Sequence, residues 1–467
     1  MSLVATCWWT LVRTVILCLL AWPVCQWIER SWNCLPCQWR PCLLAALMSP
    51  FCFPELLVGY AFRDLALARP EWAEALCGGQ LFVRMIPIGT IALLAAPRSG
   101  LDAGSIYCRR LLGTSGFGTL RHWIELVRCY WHGPIMRAMP ALALMSVVAF
   151  QEFEMAALLQ TMSWTDWFVT AHRLGTDQAE MLRQSLWPLL WQSPVIIGVL
   201  YWLQRTPARG GNTTTDNEVP ELQFRRRTVW IGVACVSCLM VAGCLIPLGL
   251  IGWRTVDGFG LLLRQRTQQV GLIQEIATSG AVAACAGLSA WTISGKLRGF
   301  AANLLLGGLF GSLLLSLGCV SLFQSSWLRP LYDTPIPWVL TLIVWLLPRA
   351  AILRLWMHAL RNNEAIHVAQ MLGQSRLGGR VNGYRRLLWH LRDQSEVLAA
   401  GLLCYWAYCD LPTAYMLAPT GMVSGLVRLY NFMHFGRSAA LSAEASAFFG
   451  TPVVCMFLLL ILMRRFR

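Results

Sequence analysis

Stretches of about 20 apolar residues, long enough to cross the hydrocarbon core of a bilayer as a helix, recur from one end of this chain to the other. Eleven stand out: residues 11–28, 41–61, 81–97, 134–160, 184–204, 228–251, 273–294, 299–322, 336–357, 395–418 and 446–463. With 57% hydrophobic and 13% charged residues over 467 positions, the chain has too little polar surface to cover so large an apolar interior in water. The expectation is an all-α polytopic membrane protein with about 11–12 transmembrane helices. The first stretch lacks a basic start and a small-residue cleavage site and carries Arg13, so it reads as a retained helix rather than a signal peptide.

The net charge of +15 comes almost wholly from arginine, Lys296 being the single lysine. These residues stand in short clusters between the apolar stretches, which argues for the positive-inside rule and against nucleic acid as a partner. Loops 29–40, 98–133, 205–227, 295–298, 358–394 and the tail 464–467 collect 23 basic residues, whereas the N-terminus and the loops on the other side collect 10. The first set is therefore expected in the cytoplasm. The polar stretch 205–227, RTPARGGNTTTDNEVPELQFRRR, reads as a cytoplasmic linker between residues 1–204 and 228–467.

Most of the 18 cysteines are single residues inside apolar runs, where Cys acts as a small hydrophobe. Cys34 and Cys37 form one CxxC without a second pair at metal-binding spacing, so no metal site is expected. No GxxxxGK[ST], HExxH or GxSxG occurs. If ATP drives this protein, another chain must hydrolyse it.

The two halves share an order of features. Leu111-Leu112-Gly113-Thr114-Ser115 and Met371-Leu372-Gly373-Gln374-Ser375 lie 260 residues apart, each in a large basic loop about 20 residues before a long apolar stretch. Each stretch is followed by an outer loop with a His close to a Gly, His172 to Gly175 and His434 to Gly436. Six spans separate the basic loops, so the repeats are parallel. Around each central Gly the apolar residues recur at three-to-four spacing, which predicts two short amphipathic helices joined at a Gly turn. Such a pair lies on the membrane surface or fits a partner's groove.

Three segments resemble the membrane subunit of type I ABC importers, especially the fused ferric-iron and thiamine permeases. They are the EAA-like loop His367-Val368-Ala369-Gln370-Met371-Leu372-Gly373, the segment Asp410-Leu411-Pro412-Thr413-Ala414, and the outer segment Arg428 to Gly436. Tyr107-Cys108-Arg109-Arg110-Leu111-Leu112-Gly113 and Glu152-Phe153-Glu154 are the fainter counterparts in the first half. In both loops the Glu-Ala-Ala start and the closing Pro of the family motif are replaced, while the Gly is kept. The resemblance implies a pair of transmembrane domains whose loops dock on two cytoplasmic ABC ATPase subunits through Leu112, Gly113, Ser115, Leu372, Gly373 and Ser375. It further implies a periplasmic or lipoprotein solute-binding protein, a bacterial inner membrane, and no cofactor on this chain, with ATP and Mg2+ held by the ATPase partner.

Glu152, Glu154 and Asp410 fall in equivalent stretches of the two halves, with Pro412 beside the last. A carboxylate at the bilayer centre costs roughly 2.5–3.5 kcal/mol on insertion scales, so it faces a cavity or a basic partner. The functional reading is a translocation pathway for a cationic or polar solute; the structural one pairs these groups with Arg84, Arg349 or Arg354. Glu55, beside Pro54 and without a counterpart, reads as structural. Most of the 23 tryptophans stand near span ends and predict an interfacial belt rather than a binding cage. An ATP-independent secondary carrier, a membrane-embedded enzyme and a scaffold that keeps the permease fold without transport are the rival readings; the enzyme lacks a concentrated set of catalytic side chains.

Overall fold

The computed structural model describes residues 2–36, 38–96, 136–205, 226–264, 266–297, 304–360, 363–374, 388–422, 424–435 and 439–465. Among them every regular element is helical. The first half holds α1 (Leu3–Cys34), α2 (Arg40–Cys52), α3 (Glu55–Ala68), α4 (Pro70–Ala95), α5 (Met136–Phe150), α6 (Glu154–Leu159), α7 (Trp164–Arg173) and α8 (Gln178–Arg205). After residues 206–225, which lie outside the described set, come α9 (Arg226–Met240) and α10 (Ile246–Arg264), joined through a π-helical turn at Val241–Leu245. The chain continues with α11 (Arg266–Ser294), α12 (Leu304–Leu309), α13 (Ser312–Phe323), the one-turn α14 (Arg329–Tyr332), α15 (Pro335–Leu360), α16 (Asn363–Gln374), α17 (Gln394–Tyr408), α18 (Leu411–Leu417), α19 (Gly425–Phe435) and α20 (Ala439–Arg465).

This is an all-α, multi-pass membrane protein. Six described helices are long and apolar enough to cross a bilayer, and there are eight if the bent pairs α2–α3 and α17–α18 each count once. The three other predicted spans, near 134–160, 184–204 and 299–322, correspond to α5–α6, α8 and α12–α13, which do not meet that measure singly. Two of them are interrupted, at residues 151–153 and 310–311. Stretches expected as outer loops are shorter than the hydropathy suggests. Helix α3 runs to Ala68 and α4 starts at Pro70, while α10 runs to Arg264 and α11 starts at Arg266.

With α14 and α16 set aside, elements α1–α8 and α11–α20 follow one order: a long helix, a helix broken midway, a long helix, a second broken helix, a short helix, and a long final helix. Packing follows the same scheme. Helix α1 lies against α4 and α5 as α11 lies against α15 and α17, and α3 meets α6 as α13 meets α18. Close approach is needed where α11 meets α17, since a Cβ on Gly287 would stand 2.7 Å from the Cys404 backbone nitrogen. Among the described residues, helices α9 and α10 have no counterpart in the first half. One buried cluster runs through both halves.

Outward-facing apolar side chains complete the membrane reading. Phe457 on α20 is 63% exposed and Trp253 on α10 83%, as lipid-facing residues are. The expected tryptophan belt requires exposed rings, and Trp8, Trp9, Trp27, Trp230, Trp253 and Trp327 are exposed. It fails for Trp32, Trp164 and Trp338, which are buried; Trp164 donates from Nε1 to the Phe150 carbonyl, 2.7 Å away.

Candidate functional site

Among the described residues four helices are interrupted, and all four breaks face one cavity of about 250 Å³. The breaks lie between α2 and α3, between α5 and α6, between α12 and α13, and between α17 and α18. Phe53, Glu152, Ser312 and Asp410 belong to its lining, one from each. The walls reach Ala95 on α4 and Trp356 on α15, near the ends that lead into the arginine-rich loops.

Each break leaves backbone groups without helical partners, and polar side chains take them up. At the first, Pro54 cannot donate to the preceding turn, and the chain turns by 65°. Arg84 on α4, 5% exposed, answers the freed carbonyls at the end of α2. It donates to Pro50 and Phe51, each at 3.3 Å, and to Phe53, and it forms an ion pair with Glu55 at 2.7 Å. A cation at a helix C-terminus is also favoured by the helix dipole.

At the second break the carboxylate of Glu152 caps α6. It accepts from the Met155 amide and, at 3.2 and 3.3 Å, from the Ala156 amide. Gln151 bridges the halves, donating to Gln192 at 2.7 Å and to the Leu309 carbonyl at the third break. That third break turns at Gly311, whose φ of 92° suits glycine, and a Cβ there would meet the Gln151 side chain at 2.9 Å. At the fourth, with a bend of 53°, Asp410 caps α18 by accepting from the Thr413 amide at 3.1 Å. Pro412 sits in the first turn of α18, where its missing N–H is harmless. Glu154 of the first half accepts from the Leu411 amide of the second at 3.3 Å.

Glu152, Glu154, Asp410 and Pro412 therefore share one cavity wall. None of the three carboxylates pairs with Arg84, Arg349 or Arg354 at ion-pair distance among the described residues. Arg84 takes Glu55, and Arg354 stacks on Trp291 at 3.9 Å and donates to Ser294 at 3.0 Å. Arg349 lies over the Trp345 ring at 3.8 Å and donates to the Trp345 carbonyl at 2.8 Å. Glu55, expected to be structural, and Arg84 and Arg349, expected only as structural partners of the carboxylates, all line the cavity. The Pro beside Glu55 was the one available signal, and only folding brings α4 and α15 to the breaks.

Of the expected coupling residues, Leu112, Gly113 and Ser115 lie outside the described residues, as does Ser375. Leu372 and Gly373 are in the last turn of α16, a helix that buries Ala369 and exposes His367, Val368 and Met371. Cys37 also lies outside the described set; the described cysteines are free thiols, and no group of three or more His, Cys, Asp or Glu side chains suited to a metal ion occurs among the described residues.

Beyond the breaks, on the side poor in arginine, a cluster joins the halves. Arg173 at the end of α7 donates to the Tyr415 hydroxyl at 2.8 Å and lies over the rings of Tyr415 and Tyr430, at 5.3 and 5.4 Å. Tyr430 packs against Phe153 of the second break at 5.9 Å and stacks on His434 at 5.4 Å. Arg63 on α3 donates to the His434 carbonyl at 2.6 Å. Burial, and then the charges of Arg173 and Arg63, hold the His434 imidazole below its ordinary pKa. His172, also lowered by burial, is a neighbour in sequence of Arg173.

No protein-family model, no curated protein and no solved structure matches this chain.

Proposed function

We propose that this chain is the membrane permease subunit of an ABC importer in a bacterial inner membrane, carrying a small cationic or polar solute through the cavity at the four helix breaks. The observation that carries the reading is the convergence of broken helices from both halves on buried carboxylates. Irregular backbone is stable at membrane depth where it lines a cavity, and a broken helix can change its bend without unravelling the rest of the bundle. The recurring order of elements supports a pair of parallel repeats, with α9–α10 added between them.

Coupling would run through α16 and the equivalent loop around Gly113, seated on separate ATPase subunits that bind ATP and Mg2+. The exposed apolar pair Val368 and Met371 supports docking. In alternating access, movement of these seats would close the arginine-rich side and part the outer cluster around Arg173. A solute-binding protein would then deliver solute at that outer face.

The test is a mild-detergent pull-down with identification of the co-purifying chains, followed by reconstitution with the ATPase partner. Gly373→Pro is expected to leave the fold intact and abolish solute-stimulated ATP hydrolysis; unchanged stimulation would overturn the coupling role. A secondary carrier is the second reading, favoured by the same buried carboxylates, which could bind a coupling ion. It predicts uptake into proteoliposomes that contain this chain alone.

A further inference from the structure

The chemistry of the cavity wall narrows the class of solute. Four carboxylates and two guanidinium groups line it. The Arg84–Glu55 pair is neutral as a unit, and the three amide contacts at α6 engage Glu152. Glu154 and Asp410 each accept one amide at a helix start, at 3.3 and 3.1 Å, and Asp410 also accepts from the Ser312 hydroxyl, which leaves both with acceptor capacity. Against these stands Arg349, already held on an aromatic face. By formal count the wall thus holds more acidic than basic groups, in surroundings where an uncompensated charge is costly.

The rest of the wall is mostly apolar, and aromatic rings stand among its aliphatic side chains. Phe153, Trp345, Trp356, Tyr405 and Trp406 all belong to it. Electron-rich ring faces attract cations, most strongly when water is excluded. The wall displays this in its own side chains: Arg349, a flat organic cation, rests over the Trp345 ring at 3.8 Å. An inorganic ion asks instead for several oxygen, nitrogen or sulfur ligands at once. A space of about 250 Å³ holds one small molecule.

We propose that the cavity binds an organic cation with a compact apolar or aromatic body, its charge held by Glu154 and Asp410 and its body against the tryptophans. That this cation is the carried solute rests on the permease reading; that it binds does not.

The probe is benzyltrimethylammonium, added to the purified full-length chain without any ATPase and followed by tryptophan fluorescence. Saturable binding is expected, competed by tetramethylammonium but not by sodium sulfate or magnesium chloride. An aryl-azide analogue should label peptides containing Trp345, Trp356 or Trp406. Asp410→Asn keeps a good helix cap and should weaken binding at least tenfold with unchanged thermal unfolding; Phe153→Leu, which leaves both carboxylates, should weaken it severalfold. No saturable binding, stronger binding of sulfate, or label confined to other peptides would overturn the proposal. Uptake of the bound cation by this chain alone would instead overturn the permease reading and leave the ligand class standing.

Discussion

Arg84 holds the broken end of α2 in place. A buried arginine ordinarily needs a carboxylate, and here Glu55 supplies one, but the carbonyls of Pro50, Phe51 and Phe53 depend on the same guanidinium. Arg84→Leu leaves those acceptors and Glu55 without a donor. A loss of about 1–3 kcal/mol is expected, the usual cost of orphaned buried acceptors, read as a lower thermal unfolding temperature in detergent. Glu55→Gln keeps a hydrogen-bonding partner and should cost less. Gly311→Ala is a second test at this scale. Its backbone, at φ 92° and ψ 159°, is nearly confined to glycine and costs an L-residue about 1–3 kcal/mol, and its Cβ would press on the Gln151 side chain at 2.9 Å. Both effects act in the same direction, and Gln151→Ala in the same chain should relieve only the second.

At the scale of elements, the carboxylates at the breaks have a structural task that the sequence left open. Glu152 and Asp410 start the helices that follow them, so a change that keeps the cap and one that removes it should separate stability from ligand binding. Asp410→Ala is expected to lose about 1 kcal/mol of stability along with the cap, whereas Asp410→Asn should lose little, as thermal unfolding of the two variants side by side would show. Hydropathy located the apolar stretches well, because a lipid-crossing helix is apolar on most faces for its whole length. It could not place the interruptions within 134–160 and 299–322. A Gly or a Glu inside an apolar run looks the same whether the backbone bends there or not, and only the packing of the other half against it decides.

Considered as a whole, the molecule is fastened across its halves beyond the breaks by the cluster of Arg173, Tyr415, Tyr430 and His434. Arg173→Ala removes the hydrogen bond to Tyr415 and both ring contacts. Spin labels at the exposed positions Leu174 and Phe432 should then report a longer and broader distance distribution than in the parent chain. The cluster also predicts a pH effect. Because burial and neighbouring arginines lower the folded pKa of His434 from 6.5, the unfolded chain binds more protons in the window between the two values, so stability rises with pH there. The contribution is complete above about pH 6.5 and falls as acid enters that window. Unfolding temperatures at pH 7.5 and 5.5 should differ less in His434→Gln than in the parent chain; an equal difference would assign the effect elsewhere.

The amino-acid sequence by itself determined that this is a helical membrane protein, where most of its helices run, and that its carboxylates at 152, 154 and 410 stand in corresponding stretches. Hydrophobic length and charge placement are properties of short segments, and the bilayer acts on them one segment at a time. Only the tertiary structure decided that four interruptions meet at one cavity, that Arg84 belongs to Glu55 and to the carbonyls of α2, and that Arg173 reaches the tyrosines of the other half. Those partners lie between 29 and 257 residues apart in the chain, and which of them meet is fixed by how the helices pack, a choice that no local pattern carries.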